Sequence, residues 1–157
     1  MNEKLIWQGI FFVLIAGLAG ILIIANEEIL IISLENVNAS AGTQNLEVPI
    51  NFDNNVTVYG IQFSVPHDND LIFKNISLTS RTEGAIVDAN DVDGEILIAA
   101  VKEDGISAGN GTILNLVFDV SASANGTYPL NVTNGLILDI STDSYLFESV
   151  PGNVSIN

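Results

Sequence analysis

The chain has 157 residues, no cysteine, and 19 Asp and Glu against 4 Lys and Arg, a formal net charge of −15. That length fits one domain with its own core plus an appendage. The charge excludes nucleic acid, whose phosphates require a basic surface, and the absence of cysteine excludes disulfides, thiol nucleophiles and cysteine-ligated zinc.

The appendage comes first. From Leu5 to Ala25 the run LIWQGIFFVLIAGLAGILIIA is uncharged, and as a helix it would reach roughly 32 Å, about the thickness of a hydrocarbon core. Residues 1–28 are therefore expected to form one N-terminal hydrophobic α-helix that anchors the chain in the membrane. A cleaved secretory signal shares this layout, but the apolar run is long and Ile23 stands where a cleavage site prefers a small residue. Lys4 precedes the run and Glu27 and Glu28 follow it. The positive-inside bias puts the N-terminus in the cytoplasm and the remainder on the extracellular side of the cell membrane. Ala16 and Gly20 are helix-packing candidates, a small-xxx-small pair that permits self-assembly through this helix.

Residues 29–157 read as short strands and polar turns. Apolar residues alternate with polar ones over Leu46, Val48, Ile50 and Phe52, over Tyr59, Ile61, Phe63 and Val65, and over Leu114, Leu116, Phe118 and Val120. Tyr128, Leu130 and Val132 do the same, with Asn131 and Thr133 facing away. The run EILIAAV, Glu95 to Val101, is apolar on both faces and suits a central strand. With ILIISLE, LIFKNISL, LILDI and NVSI there are about nine strands, spaced as in an antiparallel β-sandwich.

Three local patterns invite chemistry. GISAGNG, Gly105 to Gly111, contains the G-x-S-x-G of serine hydrolases, but a strand pattern follows where that motif needs a helix. The single histidine, His67, lies in the acidic run PHDND and reads as surface. DANDVDGE, Asp88 to Glu95, offers weak calcium candidates in Asp88, Asn90 and Asp93, yet it misses the EF-hand loop because Val92 falls on the fifth position and Asp93 on the sixth, where glycine is needed. No catalytic residue and no cofactor emerge.

N-x-[ST] triplets begin at Asn38, Asn55, Asn75, Asn110, Asn125, Asn131 and Asn153. Random order of the Asn, Ser and Thr present would give roughly two, so the excess marks these seven as N-glycosylation candidates of an exported chain. Some of it reflects the turn preference of Asn, Gly and Thr.

Several stretches resemble the cohesin family. VYGIQFSVPHDNDLIF is similar to its strand, Asp-rich loop and Leu-x-Phe strand; GEILIAAVKEDGISAGNGTILNLVFDV to two strands joined through a Gly-rich loop; NGTYPLNVTNGLILD to its A-G-T-Y-P-L-like strand; and PGNVSI to its closing strand. The likeness spans about residues 30–156. It implies a nine-stranded jelly-roll β-sandwich, related to carbohydrate-binding modules, that recognises a dockerin-like protein or a glycan without catalysis. A second plan, a helix followed by a glycosylated sandwich, resembles archaeal type IV pilins, in which this chain would be a filament subunit. Gln8 in place of a basic residue departs from that pattern.

Overall fold

The computed structural model describes residues 30–138, 145 and 147–157 in full, and residues 12–16, 19–23 and 144 by their backbone. β1 (Phe12–Ala16) and β2 (Ala19–Ile23) pair antiparallel, Phe12 opposite Ile23 and Ala16 opposite Ala19. The membrane helix expected over 5–25 finds no support there, and the rest of that span lies outside the described residues. A continuous apolar run rich in Ile and Leu is compatible with either element, which periodicity alone cannot decide. Among the described residues no helix is long and apolar enough to cross a membrane. Ala16 and Gly20 stand in this strand pair, so their helix-packing role is likewise unsupported.

The remaining elements are β3 (Ile31–Leu34), β4 (Val37–Ala39), β5 (Leu46–Asn54), β6 (Val58–Pro66), β7 (Leu71–Leu78), β8 (Ile86–Val92), β9 (Glu95–Ile106), β10 (Gly109–Val120), β11 (Gly126–Leu130), β12 (Thr133–Leu138), β13 (Ser144–Tyr145), β14 (Glu148–Val150) and β15 (Gly152–Ile156). Three sheets result, ordered β14-β3-β5-β10-β7, β13-β12-β6-β9-β8 and β11-β15-β4. Three strands are broken by one or two residues: β3 and β4, β11 and β12, and β14 and β15. Counted as single bent strands, they leave nine apart from the short β13, the expected number but not the expected set: Tyr128–Val132 and the LILDI run, expected as two strands, fall on one, and β8 is added.

The first and last strands close the sandwich in parallel, with Glu148 opposite Ile31 and Val154 opposite Val37. At the bend between them a Cβ on Gly152 would lie 2.5 Å from the Glu35 carbonyl oxygen and 2.6 Å from that of Leu34. Only glycine lets the two backbones approach this closely.

Alternation builds the core as predicted. Val48, Ile50, Phe52, Leu114, Leu116 and Phe118 from one sheet meet Ile61, Phe63, Val65, Ile96 and Ile98 from the other in one buried cluster. Each such side chain contributes roughly 1.5–3 kcal/mol on burial.

One end of the sandwich is sealed by the turn after β7. A bulge in β10 between Thr112 and Leu114 breaks the ladder. Its carbonyls are capped by hydroxyls: Thr82 Oγ1 donates to Ile113 at 2.5 Å and Thr79 Oγ1 to Thr112 at 2.6 Å. Arg81 donates to the carbonyls of Phe52, Gly111, Ser107 and Gly109 and to Asn54 Oδ1. Burial pulls its guanidinium down from its ordinary value, and the charge of Asp53 opposes this. The GISAGNG segment is thus the wrapping of an arginine. Ser107 lies between two strands and offers Arg81 its carbonyl, so the structure gives the hydrolase motif no helix to stand on.

Candidate docking face

β8, β9, β6 and β12 form an open sheet whose inner residues enter the core. Its outer residues stand in rows across the strands: Ile86, Val101, Gly60 and Leu138; then Asp88, Ala99, Gln62 and Leu136; then Asn90, Leu97, Ser64 and Thr133. Ile86 is 80 % exposed, Val101 59 %, Leu97 46 % and Leu136 40 %. With Val92, five of the eight large hydrophobic side chains exposed among the described residues lie in these strands, so the apolar surface is concentrated rather than scattered. Gly60 shapes its middle. Without a side chain it leaves a shallow depression lined by Gln62, Val101, Leu136 and Leu138, where a Cβ would touch Leu138 at 3.6 Å.

The opposite outer face is built differently. There Asn51 Nδ2 donates to Glu35 Oε1 at 2.8 Å, Thr112 Oγ1 to Asn51 Oδ1 at 2.7 Å, and Asn115 Nδ2 to Ser77 Oγ at 3.2 Å. These polar groups bond one another, and Ile72 and Leu78 on β7 and Val150 on β14 are exposed on that sheet, whereas the β8-β9-β6-β12 sheet carries the larger number of exposed apolar side chains.

Charge around the apolar face has one sign. Asp88 and Glu103 are exposed on it and Glu95 is half-buried at its end. Among the described residues every cation is engaged: Lys74 pairs with Asp119 at 3.2 Å, Arg81 sits in its carbonyl cage, and Lys102, on β9 itself, contacts Asp104 of the same strand. The Asn45 amide and then Lys74 hold the Asp119 carboxyl below its ordinary range.

The sequence candidates divide. DANDVDGE is not a loop. Asp88 and Asn90 lie on β8, and Asp93 with Gly94, at φ 54° and 83°, forms the two-residue turn into β9. Asp-Gly between strands is the type I′ signature that identifies this hairpin from sequence. Among the described residues no group of three or more His, Cys, Asp or Glu is placed to hold a metal ion. Asp88 and Asn90, two residues apart on β8, share its outer face, and Asp93 stands beyond them in the turn.

His67 is not surface. Its side chain is 3 % exposed, its ring lies 5.7 Å from that of Phe118, and its Nε2 is 3.2 Å from Asp91 Oδ2, at ion-pair distance but without hydrogen-bond alignment. Nδ1 lies 3.0 Å from the Asp68 carbonyl, which can only accept, so a proton sits on Nδ1. The residue ties the β6–β7 loop to β8.

The acceptor asparagines scatter over the rest of the surface. Asn38 lies on β4, Asn75 on β7, Asn110 on β10, Asn55 in the β5–β6 turn, and Asn125 and Asn131 in loops, all exposed; Asn153, on β15, is half-buried.

The β-sandwich thus has one outer face on which polar side chains bond one another and one open face richer in apolar area. The Cohesin domain family profile matches residues 31–155. The chain belongs to the cohesin domain family. Solved structures agree in fold: a non-cellulosomal cohesin from the archaeon Archaeoglobus fulgidus has 21 % identity and a TM-score of 0.73, covering 82 % of this chain and 91 % of that one. The sixth cohesin of Acetivibrio cellulolyticus scaffoldin B, solved with a dockerin, has 15 % identity and a TM-score of 0.71 over 82 % and 99 %. The cohesin of a type I cohesin–dockerin complex from Clostridium thermocellum has 18 % identity and a TM-score of 0.67 over 83 % and 96 %. No curated protein matches the chain in sequence.

Proposed function

We propose that this chain is a non-catalytic cell-surface recognition module that binds a dockerin-type protein on the outer face of β8-β9-β6-β12. The observation that carries the reading is the exposed apolar grid of Ile86, Leu97, Val101 and Leu136 on one sheet. Family membership supplies the class of partner, and the acidic rim adds its chemistry: an apolar surface bordered by Lys or Arg. The surface location rests on the acidic composition and the run of acceptor triplets.

The test is calorimetric titration of a panel of dockerin modules into the chain and into Ile86→Asp and Val101→Asp. Both side chains are mostly exposed in the free module, so folding stability should change by no more than about 0.5 kcal/mol. Binding should weaken by roughly 2 kcal/mol or more, since an apolar contact is lost and a carboxylate is desolvated. Dockerin binding that is indifferent to both changes would remove this face from the proposal.

A further inference from the structure

We infer that N-linked glycans coat this module around the β8-β9-β6-β12 face and leave that face bare. None of the seven acceptor asparagines lies in β6, β8, β9 or β12, although strands elsewhere carry four, Asn38, Asn75, Asn110 and Asn153. Asn55 and Asn131 frame the face. The first lies in the turn before β6, and the second precedes β12, whose Thr133 pairs with Ser64 near the far end of β6.

The side chains differ in readiness. A glycan requires a free Nδ2 and an open path to solvent. Asn131 is exposed, and its Oδ1, not its Nδ2, accepts the 2.6 Å bond from Ser149 Oγ. Asn110 Nδ2 makes only a long 3.4 Å contact with Asp53. Asn153 is half-buried and its Nδ2 donates to Asn36 Oδ1 at 3.1 Å, so it is the poorest acceptor. In each modification the Nδ2 attacks the anomeric carbon of a lipid-phosphate-linked oligosaccharide. The C–N bond forms as the anomeric C–O bond breaks, the phosphate leaves with that electron pair, and one amide proton passes to a base of the transferase.

A glycan is bulky and strongly hydrated. On the polar faces it costs nothing in recognition; on the apolar grid it would exclude a partner. The pattern therefore solubilises an acidic module while keeping one face available. This second half rests on the docking reading.

The test begins with the full chain produced in an N-glycosylating archaeal host, with each acceptor peptide weighed before and after deglycosylation. Glycans are expected at Asn38, Asn55, Asn75, Asn110, Asn125 and Asn131, with the lowest occupancy at Asn153; unmodified asparagines throughout overturn the inference whatever the module binds. A second arm installs an acceptor triplet in the face through Asp88→Asn with Asn90→Thr, or independently through Val101→Asn with Glu103→Thr, each checked for occupancy by mass. Against a panel of dockerin modules the natural glycoprotein should bind within about twofold of its deglycosylated form, while the occupied variants lose roughly tenfold or more and recover on deglycosylation. Loss of binding by the natural glycoforms, or unimpaired binding by the occupied variants, overturns the bare-face inference. A chain that binds no dockerin in any form defeats the docking reading alone, because the occupancy map still decides the glycan pattern.

Discussion

Replacing Arg81 with methionine keeps an unbranched apolar stem and removes every donor. The guanidinium serves five acceptors at 2.6–3.3 Å. Those of Ser107 and Gly109 are at the surface, where water substitutes. The carbonyls of Phe52 and Gly111 and the Oδ1 of Asn54, a residue only 2 % exposed, lose a charge-assisted donor in a part-buried setting. At about 1–2 kcal/mol each, less the desolvation that the guanidinium no longer suffers, the net loss is roughly 2–4 kcal/mol. For a domain of this size that lowers Tm by about 6–14 °C. Lysine should recover little, because one ammonium cannot reach acceptors spread over β5, the β9–β10 loop and β10. Urea titration followed by circular dichroism measures both variants. A methionine variant within about 0.5 kcal/mol of wild type, or full rescue by lysine, would refute the clamp.

Three further outcomes are expected. Gly152→Ala places its Cβ against backbone oxygens at 2.5 and 2.6 Å that cannot move aside without breaking the β3–β14 and β4–β15 pairings, so it should cost roughly 3 kcal/mol or more in urea titration. Asp119, with its folded-state carboxyl lowered by Asn45 and Lys74, contributes stability above the ordinary carboxylate pKa that is lost as pH falls through the folded value. Asp119→Asn should therefore be less stable than wild type at neutral pH, and the difference should close below about pH 4, read from melting temperatures across an acid series. Association with a dockerin should slow as salt rises from low to physiological ionic strength, since the carboxylates around the face steer a basic rim; a rate independent of salt in stopped-flow would contradict that role.

Much of the fold was legible because it rests on local periodicity. β5, β6 and β10 alternate cleanly, and their inward residues are the core. β8 was missed because its sequence IVDANDV mixes apolar residues with Asp88, Asn90 and Asp91 on an edge strand with no fully buried residue, so no clean alternation shows; the Asp93-Gly94 turn was its readable signal. The buried His67 was missed for the opposite reason, since a polar sequence context cannot show that a loop folds back over Phe118. The docking face was half visible. EILIAAV reads as apolar on both sides, which suits a doubly covered strand. Only the pairing with β6 and β8 shows that Leu97, Ala99 and Val101 emerge on an uncovered surface.

That surface sets limits on what it binds. Weighted by their exposures, Ile86, Leu97, Val101 and Leu136 are together equivalent to a little over two fully buried side chains, worth roughly 3–7 kcal/mol. Association costs about 4–15 kcal/mol in lost freedom of motion before any contact counts. The apolar grid alone therefore holds no partner firmly. The deficit has to be met by polar groups of the same face: the Asp88 and Glu103 carboxylates and the Gln62 and Asn90 amides, all exposed and all able to accept from a basic partner. A partner that is merely hydrophobic matches half the face and binds weakly, and one that is merely basic matches the rim but finds no grid to desolvate. Selectivity arises because both demands fall on one sheet whose paired rows set their spacing.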